Sequence, residues 1–190
     1  MNVAIIDTET TRSGMVYDLG VAIMNIGTGD VIDSMNVVVE ETFNDVSEMA
    51  TAYYAAKIPA YLEAINAGEL EVLPFSECFK RFSALLESHN VRSVWAYNMN
   101  FDYRALNRTI TELSNGFITS FFPGNVTCYD LMSSAVNIIG NTRRYQKWAI
   151  AHDYVTPTGR ARATAETMFR FIADDDSFVE DHTALSDATI

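Results

Sequence analysis

Residues Val3-Ala4-Ile5-Ile6-Asp7-Thr8-Glu9-Thr10-Thr11 constrain the chain more than any other stretch, because four apolar residues run straight into two acids. A short run rich in Val and Ile reads as a strand buried on both faces. Strand side chains alternate, so Asp7 and Glu9 project from one face. Neighbouring carboxylates at the edge of an apolar core repel each other and resist losing water. A positive charge between them relieves both problems, and hard divalent cations such as Mg²⁺ or Mn²⁺ prefer oxygen ligands. An Asp-x-Glu pair is equally an ordinary solvated strand end. Downstream residues decide between the two.

The length of 190 residues fits a single domain, 1–190, with room for a proper core. An apolar content of 48% against 20% charged residues describes a globular chain, not a disordered one. No apolar run approaches the roughly 20 residues of a membrane span, and Met1 leads into a strand without a basic, cleavable leader pattern. Cys78 and Cys128 lack metal-ligand spacing and read as free thiols, which suits a reducing, cytoplasmic setting. A net charge of −12 excludes a protein that coats long duplexes by neutralising phosphates. It leaves room for one that grips a strand end. Five of the thirteen basic residues (Arg143, Arg144, Lys147, Arg160, Arg162) fall between 143 and 162, where Asp153 is the only acid. That run is either a solvated face or a track for a phosphate backbone.

Taken in order, Val16–Ile26 and Val31–Glu40 flank Gly27-Thr28-Gly29-Asp30, a hairpin signal that makes the first three strands an antiparallel meander. Phe43–Glu71 reads as helical, one helix through Met49–Lys57 and a second over Ala60–Ala67 that ends at Gly68, with Pro59 breaking them. Pro74 opens a helix whose Phe75, Phe79, Phe82 and Leu86 form a core stripe. Val91–Tyr97 is a fourth strand. Asn100 then caps a helix carrying Tyr103, Leu106, Ile110 and Leu113 to an Asn115-Gly116 stop, with Asp102 in its first turn. Asn125–Leu131 is a fifth strand, and helices follow over Leu131–Ile139, Arg143–His152 and Ala163–Ala173. Asp174-Asp175-Asp176 lacks the glycine and spacing of an EF-hand. Thr183 caps a last helix bearing Asp187, with His182 just before it.

Three motifs therefore stand in one order: Asp7-Thr8-Glu9-Thr10, Asn98-Met99-Asn100-Phe101-Asp102, and His182-Thr183-Ala184-Leu185-Ser186-Asp187-Ala188. In this order and spacing the sequence resembles the DnaQ-like 3′–5′ exonucleases of the DEDD superfamily. His182, five residues before Asp187, marks the histidine branch (DEDDh). The resemblance implies an α/β, ribonuclease-H-like fold with a five-stranded mixed sheet, three strands antiparallel and two parallel, and helices on both faces.

It also implies two-metal hydrolysis of phosphodiester bonds at a single-stranded or frayed DNA or RNA 3′ end, releasing 5′-mononucleotides. Asp7 would bridge two Mg²⁺ or Mn²⁺ ions, Glu9 and Asp187 would complete one, and Asp102 would serve the other. His182 would be the general base. Thr8, Thr10, Asn98 and Phe101 would contact the terminal nucleotide, and Arg160 and Arg162 the backbone. His89 and His152 default to structural roles.

The sequence departs from relatives at Arg12, where they carry Gly, at Tyr97, where they carry His, and at Met99-Asn100, where they carry a small pair. It departs again in Phe43–Glu71, which replaces a short His-Gly-Ile loop with a helical insertion. These departures bear on substrate choice. A phosphoesterase of short oligonucleotides or nucleotides, and a non-catalytic nucleic-acid-binding relative, are the competing expectations.

Overall fold

The computed structural model describes residues 1–190. Six strands form one mixed sheet: β1 (Asn2–Thr10), β2 (Val16–Asn25), β3 (Val31–Val39), β4 (Glu71–Leu73), β5 (Ser93–Ala96) and β6 (Thr127–Asp130). Their spatial order is β4-β3-β2-β1-β5-β6. The meander β1–β2–β3 is antiparallel, and β5 and β6 add in parallel beside β1. The hairpin turns through Gly29, whose φ of +79° is a left-handed value that glycine adopts without strain.

The sixth strand corrects the five-stranded expectation. Glu71–Leu73 pairs in parallel with Val37–Val39 and occupies the edge that β3 would otherwise leave unpaired. Three residues are too few to show a strand period, so the sequence predicts no strand between the helix ending at Gly68 and the one opened by Pro74.

Nine helices surround the sheet: α1 (Glu40–Phe43), α2 (Val46–Met49), α3 (Ile58–Ala67), α4 (Phe75–Ser88), α5 (Met99–Leu113), α6 (Leu131–Ala135), α7 (Arg143–Ala151), α8 (Ala165–Ala173) and α9 (Ala184–Ala188). A π-helical turn, Val136–Gly140, extends α6. On one face of the sheet Ala4, Ile6, Leu19, Val21 and Ile23 pack against Phe75, Phe82 and Leu86 of α4 and Leu106 and Ile110 of α5. Phe121 and Phe122 close this core from the loop before β6. On the opposite face, Tyr17 and Val38 pack against Met49 and Tyr61 of the insertion.

The insertion differs from two helices broken at a proline. Pro59 sits in the first turn of α3, where its missing N–H costs nothing. The stretch expected to be helical through Lys57 leaves its helix after Met49. Tyr53 N donates to the Thr10 carbonyl and Arg12 N to the Thr51 carbonyl, so this segment pairs with the end of β1 instead. Tyr53 and Tyr54 are thereby delivered to the C-terminal end of β1.

Tyr145, Ala149 and Met168 form a third cluster joining α7 to α8, with Trp148 and Phe171 packed on it. Tyr145 is fully buried. Of the two aromatic residues of the basic run, Tyr145 therefore packs inward and is not free to stack on bases, while Trp148 is half-buried against it.

Candidate active site

The carboxyl end of β1 opens into a cleft of about 570 Å³. Asp7 and Glu9 stand opposite Gly20 and Asp18 of β2, on the sheet face that α9 covers. Gly20 permits that cover. A methyl group there would overlap the Ala184–Leu185 backbone, so α9 rests directly on the strand and carries Asp187 to Glu9. One oxygen or nitrogen each of Glu9, His182 and Asp187 lies within 4.8 Å of the others.

Thr8 points to the other face, where its hydroxyl donates to Asp102 Oδ1 at 2.9 Å. Asp102, 1% exposed, is in the first turn of α5. The residue opening that helix is Asn98, in a left-handed conformation, not Asn100 as the sequence suggested. An asparagine tolerates that backbone, and the turn aims Asp102 back at β1.

Charge in this cluster is only partly relieved: Lys57 acts on Glu9 and Asp187, and the Thr8 bond on Asp102. Burial raises the Asp7 carboxyl well above the usual range, and Asp102, Glu9 and Asp187 raise it further. Burial, then Asp18 and Asp187, push Glu9 up to about 8. Asp102 and Asp187 are raised as well, burial again being the main cause. Oδ1 of Asp187 is buried without a hydrogen-bond partner. Acceptor-only groups crowded this way fit hard divalent cations: Asp7, Glu9, Asp102 and Asp187 supply the oxygen ligands such ions prefer.

His182 has a positive φ of 51°, and its ring stacks on Tyr54, with centroids 4.4 Å apart and planes 13° from parallel. Its Nδ1 stands 3.7 Å from Asp187 and 3.9 Å from Glu180. The ring is held by a shelf and two acids.

Of the residues expected from sequence, Asp7, Thr8, Glu9, Thr10, Asn98, Phe101, His182 and Asp187 line the cleft, and Asp102 lies just behind Thr8. Arg160 and Arg162 do not line it. They sit before the wall formed by Ala163–Ala165, with Arg162 Nε donating to the Val155 carbonyl. His89 and His152 pair with Asp33 and Asp176 and take no part in the cleft.

Five residues here escaped the sequence reading. Tyr53, Tyr54 and Glu180 line the cleft. Lys57 pairs with Asp181 at 3.3 Å beside it. Asp18, 1% exposed, accepts from Tyr61 Oη at 2.6 Å and from Ala184 N at 3.0 Å. Thr183, expected to cap α9, makes no such bond. Its hydroxyl donates to Asp181, and the Asp18 carboxylate receives the helix amide instead. A Glu two residues before His182 was the one legible signal. Tyr53, Tyr54 and Lys57 depend on how the insertion folds, and Asp18 on α9 packing over β2.

No protein-family model matches the sequence, and no curated protein matches it. Among solved structures, the chain is similar to the nuclease domain of 3′hExo, a DEDDh family member bound to rAMP, with a TM-score of 0.61 and 12% identity over 98% of this chain and 86% of that one. It is similar to E. coli exonuclease I in a zinc-bound complex with single-stranded DNA, with a TM-score of 0.56 and 12% identity over 99% of this chain. A complex of that enzyme with dA16 gives a TM-score of 0.54 at the same identity. The chain spans only 38% of the exonuclease I chains. At this level of identity the likeness establishes the fold alone, one shared with these nuclease structures.

Proposed function

We propose that the protein is a metal-dependent 3′–5′ exonuclease that releases 5′-mononucleotides from single-stranded or frayed nucleic-acid ends. One observation carries the reading: Asp7, Glu9, His182 and Asp187, from distant parts of the chain, line one cleft, and Asp102 stands directly behind Thr8 of its lining.

Bound by Asp7, Glu9, Asp102 and Asp187, divalent cations would stabilise the charge that develops on the attacking and leaving oxygens. The chain's own residues do the rest. Nδ1 of His182 faces Asp187 and Glu180, which leaves Nε2 to take the proton from the attacking water. Tyr54 holds the imidazole plane while that proton moves. The leaving 3′ oxygen regains a proton from solvent. Phe101, 43% exposed, and Tyr53 offer aromatic faces to the terminal bases. Arg160 and Arg162 enter only as contacts to phosphates beyond the reacting end.

The test is hydrolysis of a 5′-labelled 20-mer and of a dinucleotide, as DNA and as RNA, with Mg²⁺ and with Mn²⁺. A ladder shortening from the 3′ end, absent in Asp7→Asn, is the expected result. Cleavage of the dinucleotide alone would identify a phosphoesterase of short substrates. No cleavage in any combination would leave a non-catalytic relative.

A further inference from the structure

We propose that a basic groove along α5 binds the sugar-phosphate backbone of the strand whose 3′ end occupies the cleft. The proposal rests on the exonuclease reading and adds the path of the substrate. A groove of about 300 Å³ adjoins the cleft and shares Asn98 and Phe101 with it. Its other walls include Gly14, Asn100, Arg104 and Arg108. A second depression of about 310 Å³ continues past Arg104 and Arg108 to Asn107 and Thr111. A strand leaving the cleft past Phe101 therefore meets one guanidinium and then the next, a helical turn or roughly 6 Å further on.

The charges are available. Arg104 and Arg108 are exposed, and neither has a carboxylate within ion-pair distance, whereas Lys57, Lys80, Arg81 and Arg170 are all paired. What distinguishes Arg104 and Arg108 is their place, on one helix face in a groove that adjoins the cleft, in a chain of net charge −12. Guanidinium groups suit phosphate because their donors form a planar fork. The two are not equivalent. Arg108 also borders a pocket containing Glu41, Asp45, Glu48 and Glu112, the last of which lines the second depression too, and these acids offset part of its charge. Arg104 is the stronger contact.

The route differs from the one the clustered basic run suggested. Within that run Arg144 lies over the Phe171 ring, and Arg162 Nε is bonded to a backbone carbonyl. Arg160 and Arg162 do not line the cleft, although Ala163, Thr164 and Ala165 just after them do.

The experiment compares Arg104→Ala/Arg108→Ala, Arg160→Ala/Arg162→Ala and a charge-matched control, Lys80→Ala/Arg92→Ala. Binding of fluorescent 20-mers of DNA and RNA is followed by anisotropy in the Asp7→Asn background across a salt series. The ratio of kcat/KM for the 20-mer to that for a dinucleotide is measured with Asp7 intact. Losing two phosphate contacts should reduce the salt slope by about 1.4 and weaken 20-mer binding roughly tenfold. The kcat/KM ratio should fall with it, Arg104→Ala alone should account for most of the change, and the control should behave as the parent.

If the 20-mer binds and is degraded, but the α5 pair changes slope and ratio no more than the control, the groove proposal fails while the exonuclease reading stands. The groove proposal fails in the same way if only the Arg160/Arg162 pair lowers the ratio. If no variant, parent included, binds or degrades a single strand, both fail together.

Discussion

The carboxylate of Asp18 lies 3.0 Å from the backbone nitrogen of Ala184, joining the second strand to the last helix across 166 positions of sequence. The same oxygen accepts the Tyr61 hydroxyl at 2.6 Å. Burial raises this carboxyl to about 6, while the bonds from Tyr61 and Ala184 oppose the rise. It is therefore ionised at neutral pH and holds both donors. Asp18→Ala strands an amide and a phenol in the interior, at about 1–3 kcal/mol each if unrepaired. We expect a lower melting temperature and, because α9 bears Asp187 and follows His182, a kcat loss exceeding that of Tyr61→Phe, which keeps the helix bond. Equal kcat for the two variants would refute this anchoring role.

His182→Ala should leave cation binding in place and reduce turnover by roughly 10²- to 10⁴-fold, the range for losing a general base. Tyr54→Ala removes only the stacking shelf, so its loss should be smaller, and Tyr54→Phe should restore most of it. Turnover of His182→Ala within about threefold of wild type would assign the base elsewhere.

The raised carboxyls set a pH dependence of definite sign. Glu9, at about 8 in the fold against an ordinary 4.5, keeps its proton where the unfolded chain has lost it. At this group the folded state binds more protons, so its contribution to metal-free stability is fully present below the ordinary carboxylate range and is lost as pH rises through about 8. Glu9→Gln should flatten that fall in a thermal-melt series from pH 5 to 8. Millimolar Mn²⁺ at pH 8 should raise the melting temperature of wild type but not of Asp7→Asn, by ligand binding to the native state. A rise of the same size in both proteins would remove Asp7 from the cation site.

Gly20→Ala tests the close approach of α9 to β2. The new methyl meets backbone atoms that no side-chain rotation can clear. Overpacking of this kind costs about 1–3 kcal/mol, or a melting-temperature drop of roughly 2–4 °C per kcal/mol in a chain of this size. Activity should fall further than Gly29→Ala lowers it, since Gly29 sits in a remote hairpin turn with open space around it. Unchanged activity would show that α9 can shift without moving Asp187 from Glu9.

Sequence patterns located the meander, the core stripe of α4 and the acids of the cleft, because each is written locally. Alternation places Asp7 beside Glu9, and the first turn of a helix after a strand places Asp102. Other features had no local signature. The edge strand Glu71–Leu73 exists only because β3 offers it an edge. Tyr54 reaches His182 because its segment abandons a helix to bond with Thr10 and Arg12, a choice made by tertiary pairing. Asp18 reads as one polar residue in an apolar strand until α9 is packed over it. The clustered basic run shows the limit of reading along the chain: Arg160 and Arg162 do not line the cleft, whereas two arginines within an ordinary helix line the groove that adjoins it.

The span between Asp18 and Ala184 also fixes when the cleft can be completed. During synthesis the sheet, α4 and α5 can assemble on the ribosome with Asp7, Glu9 and Asp102 in place. His182 and Asp187 join only once their own segment emerges and docks on Gly20. On the proposed reading, a partly made chain would hold three of the four acids and lack the general base His182, so it would stay inactive until α9 arrives.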